Sequence, residues 1–474
     1  MKKNRLWMLL IPLLLIVAVV AVVVSMQKKN TDKTLIVNGE QDGQYVKQES
    51  DSFTVESATI RQMFKKTDFS GEQSVYRTYN QYALAEGGCY YIDFSGQCIQ
   101  YFDRKLDESI YICNKPDCKH GTKDCNAYYD GYINNVFLYG GKLFVEILGF
   151  EDNIMTIYAS NPDGTERKKL MTCNNASVEQ FFAVKNKLYI TYMLFGENGA
   201  HETMQACVEE VNLESGRHRR LCAFVPDEEH YNNWVGIAPC EEENKICIYY
   251  EYVSELMDAE NYFSEGVVES ASEDGQLHVL DEEAYAREFE TYVEALFSAR
   301  HVEYYVYDIE EEVLQPQAGM PEGLHSIEMA WVRDGAFYCI SGLSVHASDG
   351  GCLYRNDKVL LNYSSCDKFL LLDDYLSFIL YDEEDVVYRR FLYHLPSDTL
   401  YVSKKSIPDG AFEILSYSKA LNFICYDKNC DYSGAVLSGD VRDIGMSEAE
   451  TYIKDNFTVY ENEYSQVQWL EECD

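Results

Sequence analysis

From about residue 82 onward the chain is a succession of short apolar runs, each closed by Gly, Asp, Asn or Pro. Gly88-Cys89-Tyr90-Tyr91-Ile92-Asp93 is the first of these, and Lys142-Leu143-Phe144-Val145-Glu146-Ile147-Leu148 follows. Lys187-Leu188-Tyr189-Ile190-Thr191-Tyr192, Lys245-Ile246-Cys247-Ile248-Tyr249-Tyr250, Gly335 to Ile340 and Tyr375 to Leu380 continue the series. Runs rich in β-branched and aromatic residues between turn residues predict strands. The turns have their own chemistry: Gly140-Gly141 and Lys185-Asn186 open strands, and Asn161-Pro162-Asp163-Gly164 joins Thr156–Ser160 to Glu166–Met171.

The order of strand, turn, strand, tight turn, strand repeats with decay. Ala206–Val211 leads through Leu213-Glu214-Ser215-Gly216 to Arg219–Cys222. Tyr304–Asp308 leads to Val313-Leu314, and Phe391–His394 leads through Pro396-Ser397-Asp398 to Leu400–Val402. Four-stranded units recurring every 45–60 residues or so predict an all-β fold, a β-propeller, because one such sheet cannot bury both faces alone. Residues 76–445 accommodate six blades, with seven as the alternative. Residues 254–301 break the period. Within them Tyr285, Phe289, Tyr292, Val293, Leu296 and Phe297 recur at helical spacing, which predicts a small helical insertion behind an acidic arm, Asp258 to Asp274.

The ends read differently. Leu6 to Met26 is apolar and uncharged, long enough at 1.5 Å per residue to span a hydrocarbon core of about 30 Å. Residues 1–5, with Lys2, Lys3 and Arg5, form the basic flank expected on the cytoplasmic side of a transmembrane anchor. Val22-Val23-Val24-Ser25-Met26 is a poor cleavage site for a signal peptide, and the first Cys, Cys89, is too distant for a lipoprotein. A single-pass protein of the cell membrane with an extracytoplasmic body follows. Residues 27–75 read as a stalk with one short strand at Ser52–Val55. Residues 446–474 read as an acidic C-terminal tail with a short helix at Ser447–Lys454 and a strand at Asn456–Tyr460.

Charge narrows the partners. The formal net charge is −39, and the first thirty residues hold basic residues and no acidic ones, so the body is more negative still. Such a surface repels phosphate backbones, which excludes nucleic acid, and keeps the body soluble and monomeric.

Chemistry concentrates in one place. Cys113-x4-Cys118-x-His120-x4-Cys125 gathers three thiols and an imidazole around the turn Asn114-Lys115-Pro116-Asp117. Outside the cytoplasm thiols oxidise, so the first reading is a disulfide between Cys113 and Cys118 on adjacent strand ends; the alternative is a Cys3His zinc site. Ile424-Cys425-x4-Cys430 echoes the pattern near the other end of the propeller, without a histidine. No other cofactor is expected. Asp427, Asn429 and Asp431 open like a calcium loop, but Tyr432 stands where Gly is needed. No nucleophile elbow, H-E-x-x-H, phosphate loop or dinucleotide fingerprint occurs, and Gly342-Leu343-Ser344-Val345-His346 lacks the second Gly of an elbow. No enzyme signature is therefore legible in the chain.

The stretch Ile157-Tyr158-Ala159-Ser160-Asn161-Pro162-Asp163-Gly164-Thr165-Glu166-Arg167-Lys168-Lys169-Leu170 resembles one blade of the TolB-like and YWTD-like six-bladed propellers, and is most similar to the membrane-anchored propellers of Firmicutes. Arg219-Arg220-Leu221 stands where a second blade would carry Lys-Lys-Leu, and the Tyr-Trp-Thr-Asp tetrapeptide is absent. The resemblance implies the fold and a bacterial envelope location; it implies no catalytic residue. The function expected is a binding or scaffolding module for a protein or cell-envelope partner. The alternatives are a glycan or peptide ligand protein using tyrosine platforms, and a hydrolase or lyase that leaves no motif.

Overall fold

The computed structural model describes most of residues 53–404, together with short segments at 33–36, 44–47, 420–424, 441–445 and 457–459 and residue 454. The predicted anchor at 6–26 and the Cys425–Cys430 echo lie outside the described residues. So do the elbow-like Ser344–His346 and the calcium-like loop. Among the described residues no helix is long and apolar enough to cross a membrane.

Six four-stranded antiparallel meanders succeed one another. Blade 1 is Tyr82–Ala85, Gly88–Ile92, Ile99–Asp103 and Glu108–Tyr111. Blade 2 is Tyr132–Tyr139, Lys142–Leu148, Met155–Ser160 and Lys168–Cys173. Blade 3 is Ala176–Val184, Lys187–Leu194, Gln205–Asn212 and His218–Phe224. Blade 4 is Tyr231–Pro239, Lys245–Val253, Arg300–Asp308 and Val313–Pro316. Blade 5 is Ile327–Arg333, Ala336–Gly342, Gly351–Arg355 and Lys358–Tyr363, and blade 6 is Cys366–Leu372, Tyr375–Asp382, Val387–His394 and Thr399–Ser403. This is the six-bladed propeller, not the seven-bladed alternative; Ala420–Ile424 and Val441–Gly445 form a separate two-stranded hairpin.

Face-to-face packing explains why the strands are apolar on both sides. In Lys187–Leu194, Leu188, Ile190 and Tyr192 enter the core shared with blade 2. Tyr189, between them, enters the core shared with blade 4. Alternate side chains point to opposite faces of a strand, and here both faces are covered. The same arrangement places Trp331, Tyr338 and Leu353 of blade 5 against Leu376, Phe378 and Phe391 of blade 6. Gly140 and Gly141, at φ +58° and +69°, make the tight hairpin in blade 2 that side chains would strain.

Several strands supplement the blades, and they correct the expected boundaries. Phe53–Val55 pairs antiparallel with the fourth strand of blade 2, Met171 opposite Val55. Helix α1 (Ser57–Phe64) follows it. Its Ile60 and Phe64 are buried with Phe53 and Phe69 in the core between blades 2 and 3. Residues 53–69 are thus part of the body and not of a stalk, because four large apolar side chains there have a core to enter. Further upstream, Lys33–Ile36 runs parallel to the fourth strand of blade 3, Leu35 opposite Cys222, and Gln44–Lys47 pairs with it in turn. Val75–Arg77 adds to the first strand of blade 3, Tyr76 opposite Phe182, and also touches the first strand of blade 2. Phe457–Val459, within the expected tail, pairs with Thr399–Ser403 as an outer strand of blade 6.

The insertion leaves blade 4 between its second and third strands. Ser254 N–H donates to the Ala299 carbonyl at 2.8 Å and closes its neck. Val268–Ser270 and Leu277–Val279 form a hairpin, so the acidic arm is structured there. Ala284, Tyr285, Glu288, Phe289, Thr291 and Ala295 are helical, and Tyr285 and Phe289 stack at 5.4 Å as the predicted spacing requires.

Candidate metal centre

The ligand motif occupies the link from blade 1 to blade 2. Cys113 lies two residues beyond the end of the fourth strand of blade 1, and its N–H donates to the Tyr111 carbonyl at 2.6 Å. The chain then reverses through Pro116-Asp117. Asp117 and His120 adopt φ +60° and +52°, and Gly121 φ +68°. Three left-handed residues in five fold the segment back onto itself, so Cys118 sits in a loop and not on a strand end. Further bonds fix the return. Cys125 N–H donates to the Thr122 carbonyl at 2.8 Å, and the Asn126 side-chain amide donates to Asn114 Oδ1 at 2.9 Å. Lys115 Nζ donates to the Asp124 carbonyl.

The result brings together all four residues that the sequence singled out. Cys113 Sγ, Cys118 Sγ, Cys125 Sγ and a His120 ring nitrogen all lie within 4.8 Å of one another. His120 Nδ1 is 3.3 Å from Cys125 Sγ. A tetrahedral ion with bonds of about 2.3 Å to sulfur and 2.0 Å to nitrogen holds its donors roughly 3.5–3.8 Å apart, so the cluster has the right size. The His120 ring is steadied from behind by Tyr111, stacked at 4.4 Å and 20°. The expected disulfide is not formed: Cys113, Cys118 and Cys125 are free thiols. Geometry accounts for the correction. The loop draws a third thiol and the imidazole to the same point, which a two-sulfur bridge does not require.

Electrostatics agree with a cation-seeking site. Burial opposes the Cys113 thiolate, but the amides of Lys115 and Asn126 and the neighbouring thiols Cys118 and Cys125 outweigh it and hold this thiol below its ordinary value. Burial pushes the Cys125 thiol up to about 12. Three thiols this close cannot all ionise without a counter-charge, and a divalent soft ion supplies one as it displaces the protons. Four protein ligands leave no open position for substrate, which is the arrangement of structural rather than catalytic zinc.

Two supporting residues were not anticipated as part of the site. Gly164 and Arg167, in the hairpin of blade 2 between Met155–Ser160 and Lys168–Cys173, meet the loop. Arg167 Cζ stands 4.4 Å from the Tyr129 ring centroid. The signal was present, since both belong to the one well-kept blade motif, but nothing in the letters joins that motif to the cysteines.

No family model matches the chain, and no curated protein matches it. Solved structures are similar to it at low identity. The β-propeller domain of the Trilobed protease from Pyrococcus furiosus is 11% identical, over 78% of this chain and 93% of that one, with a TM-score of 0.39. An oligogalacturonate lyase in complex with manganese is 10% identical over 79% and 91%, TM-score 0.41. A puromycin hydrolase is 8% identical over 87% and 55%, TM-score 0.42. Likenesses this distant carry nothing about chemistry, and the blade count rests on the strand pairing described above.

Proposed function

We propose that this chain is an extracytoplasmic β-propeller of the TolB-like, Firmicutes type, tethered to the cell membrane through residues 6–26. It acts as a binding or scaffolding module for a protein or cell-envelope partner, and Cys113, Cys118, His120 and Cys125 hold one structural zinc ion. The observation that carries the reading is the convergence of four soft ligands, with no open position, on the link between two blades. An ion there would stabilise the scaffold and do no chemistry on a substrate. The apolar run at 6–26, its basic flank and the acidic composition beyond it support the location.

Metal analysis of the purified chain, beside thiol counting, tests the centre: one zinc per chain, lost on Cys118→Ser, is expected. A metal-free chain with four accessible donors would end the zinc reading. Protease treatment of intact cells tests the location. Removal of the body, with residues 1–26 left in the membrane, is expected; full protection of the body would overturn it.

A further inference from the structure

The ligand loop is gripped at both ends by a turn that contributes no ligand. Gly164, at φ +78°, closes the turn that begins at Asn161 in blade 2 and lies against the Ile112 carbonyl, one residue before Cys113. A Cβ at Gly164 would stand 2.3 Å from that oxygen and 3.2 Å from the Asn126 Cβ. Three residues on, Arg167 Nη1 donates to the Tyr128 carbonyl and, at 3.5 Å, to the Asn126 carbonyl, one residue after Cys125. The guanidinium also covers the Tyr129 ring. The turn is itself braced. Gly164 N–H donates to the Asn161 carbonyl at 2.9 Å, and Asn161 N–H to the Thr165 carbonyl at 2.8 Å. Lys142 Nζ donates to Asn161 Oδ1 at 2.6 Å. It therefore presents a fixed surface to the loop.

We propose that Gly164 and Arg167 are positioning residues of the metal centre, making it a staple between blades 1 and 2 in which metal binding and docking of the blade 2 turn strengthen each other. The inference rests on the zinc reading of the four ligands. Two of those ligands, Cys113 and Cys125, are chain neighbours of the gripped residues Ile112 and Asn126. Fixing their backbones removes most of the freedom by which an empty loop would scatter its donors. Coupling of this kind is reciprocal: whatever the docked turn adds to metal affinity, the metal adds to docking.

The test uses the full chain. Zinc release to a chromogenic chelator is followed in wild type, Arg167→Ala, Arg167→Lys and Gly164→Ala, and amide exchange across residues 161–167 is compared with and without metal. Arg167→Ala is expected to release zinc about tenfold faster or more, in the range that supporting residues of metal sites show. Arg167→Lys is expected to release it faster than wild type as well, because an ammonium keeps the charge without the planar stacking and forked donors. Metal removal is expected to speed exchange at Gly164 and Thr165, which bind no metal. A wild-type chain that holds no zinc would sink the reading underneath. A zinc-loaded wild type whose turn exchanges alike with and without metal, or an Arg167→Ala chain that releases zinc at the wild-type rate, would sink the staple alone.

Discussion

Arg219 on the outer strand of blade 3 donates through Nη2 to the Tyr307 hydroxyl of blade 4 at 2.7 Å. Between them lies Glu210. Its Oε2 accepts from Lys187 Nζ and Tyr189 at 3.0 Å each, and from Tyr307 at 3.4 Å; its Oε1 is 3.2 Å from Arg219 Nε. Arg219 also pairs with Glu312 of blade 4 at 3.0 Å. Burial opposes the charge on Glu210, but Arg219 and Lys187 outweigh it and hold the carboxyl below its ordinary value. Glu210→Ala is expected to cost about 1–3 kcal/mol in chemical denaturation, because Arg219 keeps Glu312 but the buried Tyr189 and Tyr307 hydroxyls lose their shared acceptor. A carboxyl with a lowered folded-state pKa adds stability above its ordinary value of 4.5 and loses it as the pH falls below that. The acid limb of the wild-type stability profile should therefore flatten in Glu210→Gln; an unchanged limb would show that the hub does not hold the two blades.

Gln180 makes a second bridge between the same blades, with no charge. Its Oε1 accepts from the Ile237 N–H of blade 4 at 2.6 Å, and its Nε2 donates to the Tyr249 hydroxyl at 3.2 Å. Gln180→Leu keeps the volume and leaves a buried N–H without its acceptor. A loss of about 1–3 kcal/mol is expected, and a neutral result would mean that water replaces the amide.

Glu146 is wholly buried, with Oε2 accepting from Asn135 at 2.7 Å. Burial, aided by the charge of Glu179 and opposed by the hydrogen bonds of Asn135 and Asn134, pushes its carboxyl up to about 8. The folded chain therefore binds a proton that the unfolded chain has released above its ordinary 4.5. The stability from this group is complete below 4.5 and declines as the pH rises through 8. Glu146→Gln should remove the decline and stabilise the chain at pH 8 by a few kcal/mol, an order-of-magnitude figure. Thermal midpoints of the two proteins between pH 5 and 9 measure it; parallel curves would refute it.

Phe64 tests whether helix α1 belongs to the body. It stacks on Phe144 at 5.8 Å and packs against Phe69 at 6.1 Å. Phe64→Ala is expected to cost about 3–5 kcal/mol, as for a large aromatic removed from a core. A stalk helix would lose under 0.5 kcal/mol or so, as exposed positions do.

Much of this fold can be read along the chain, and its exceptions have physical causes. The runs at Lys142–Leu148 and Lys187–Leu194 are strands because each buries both faces, and both appear where the letters place them. The short strand expected at Ser52–Val55 appears as Phe53–Val55, but its partner is supplied by a blade far along the chain; Val75–Arg77 is three residues long, too short for a period, and its pairing is likewise distant. Helix α1 shows only Ile60, Met63 and Phe64 at helical spacing over two turns, a signal that a polar surrounding masks. The ligand set Cys113, Cys118, His120 and Cys125 was legible as a set. The convergence of a third thiol and the imidazole on the pair was not, because it is set by left-handed backbone at Asp117 and His120, which spacing does not encode. Glu210, Arg219 and Tyr307 come from three strands in two blades, and no local pattern announces such a meeting.

The parallel strand Lys33–Ile36 on the outer edge of blade 3 sets a leash. With the proposed anchor ending at Met26, six residues separate the bilayer from that edge, a reach of about 25 Å at most. On such a leash blade 3 would be the part of the propeller held nearest the lipid, and partners carried in the same membrane would meet that blade first.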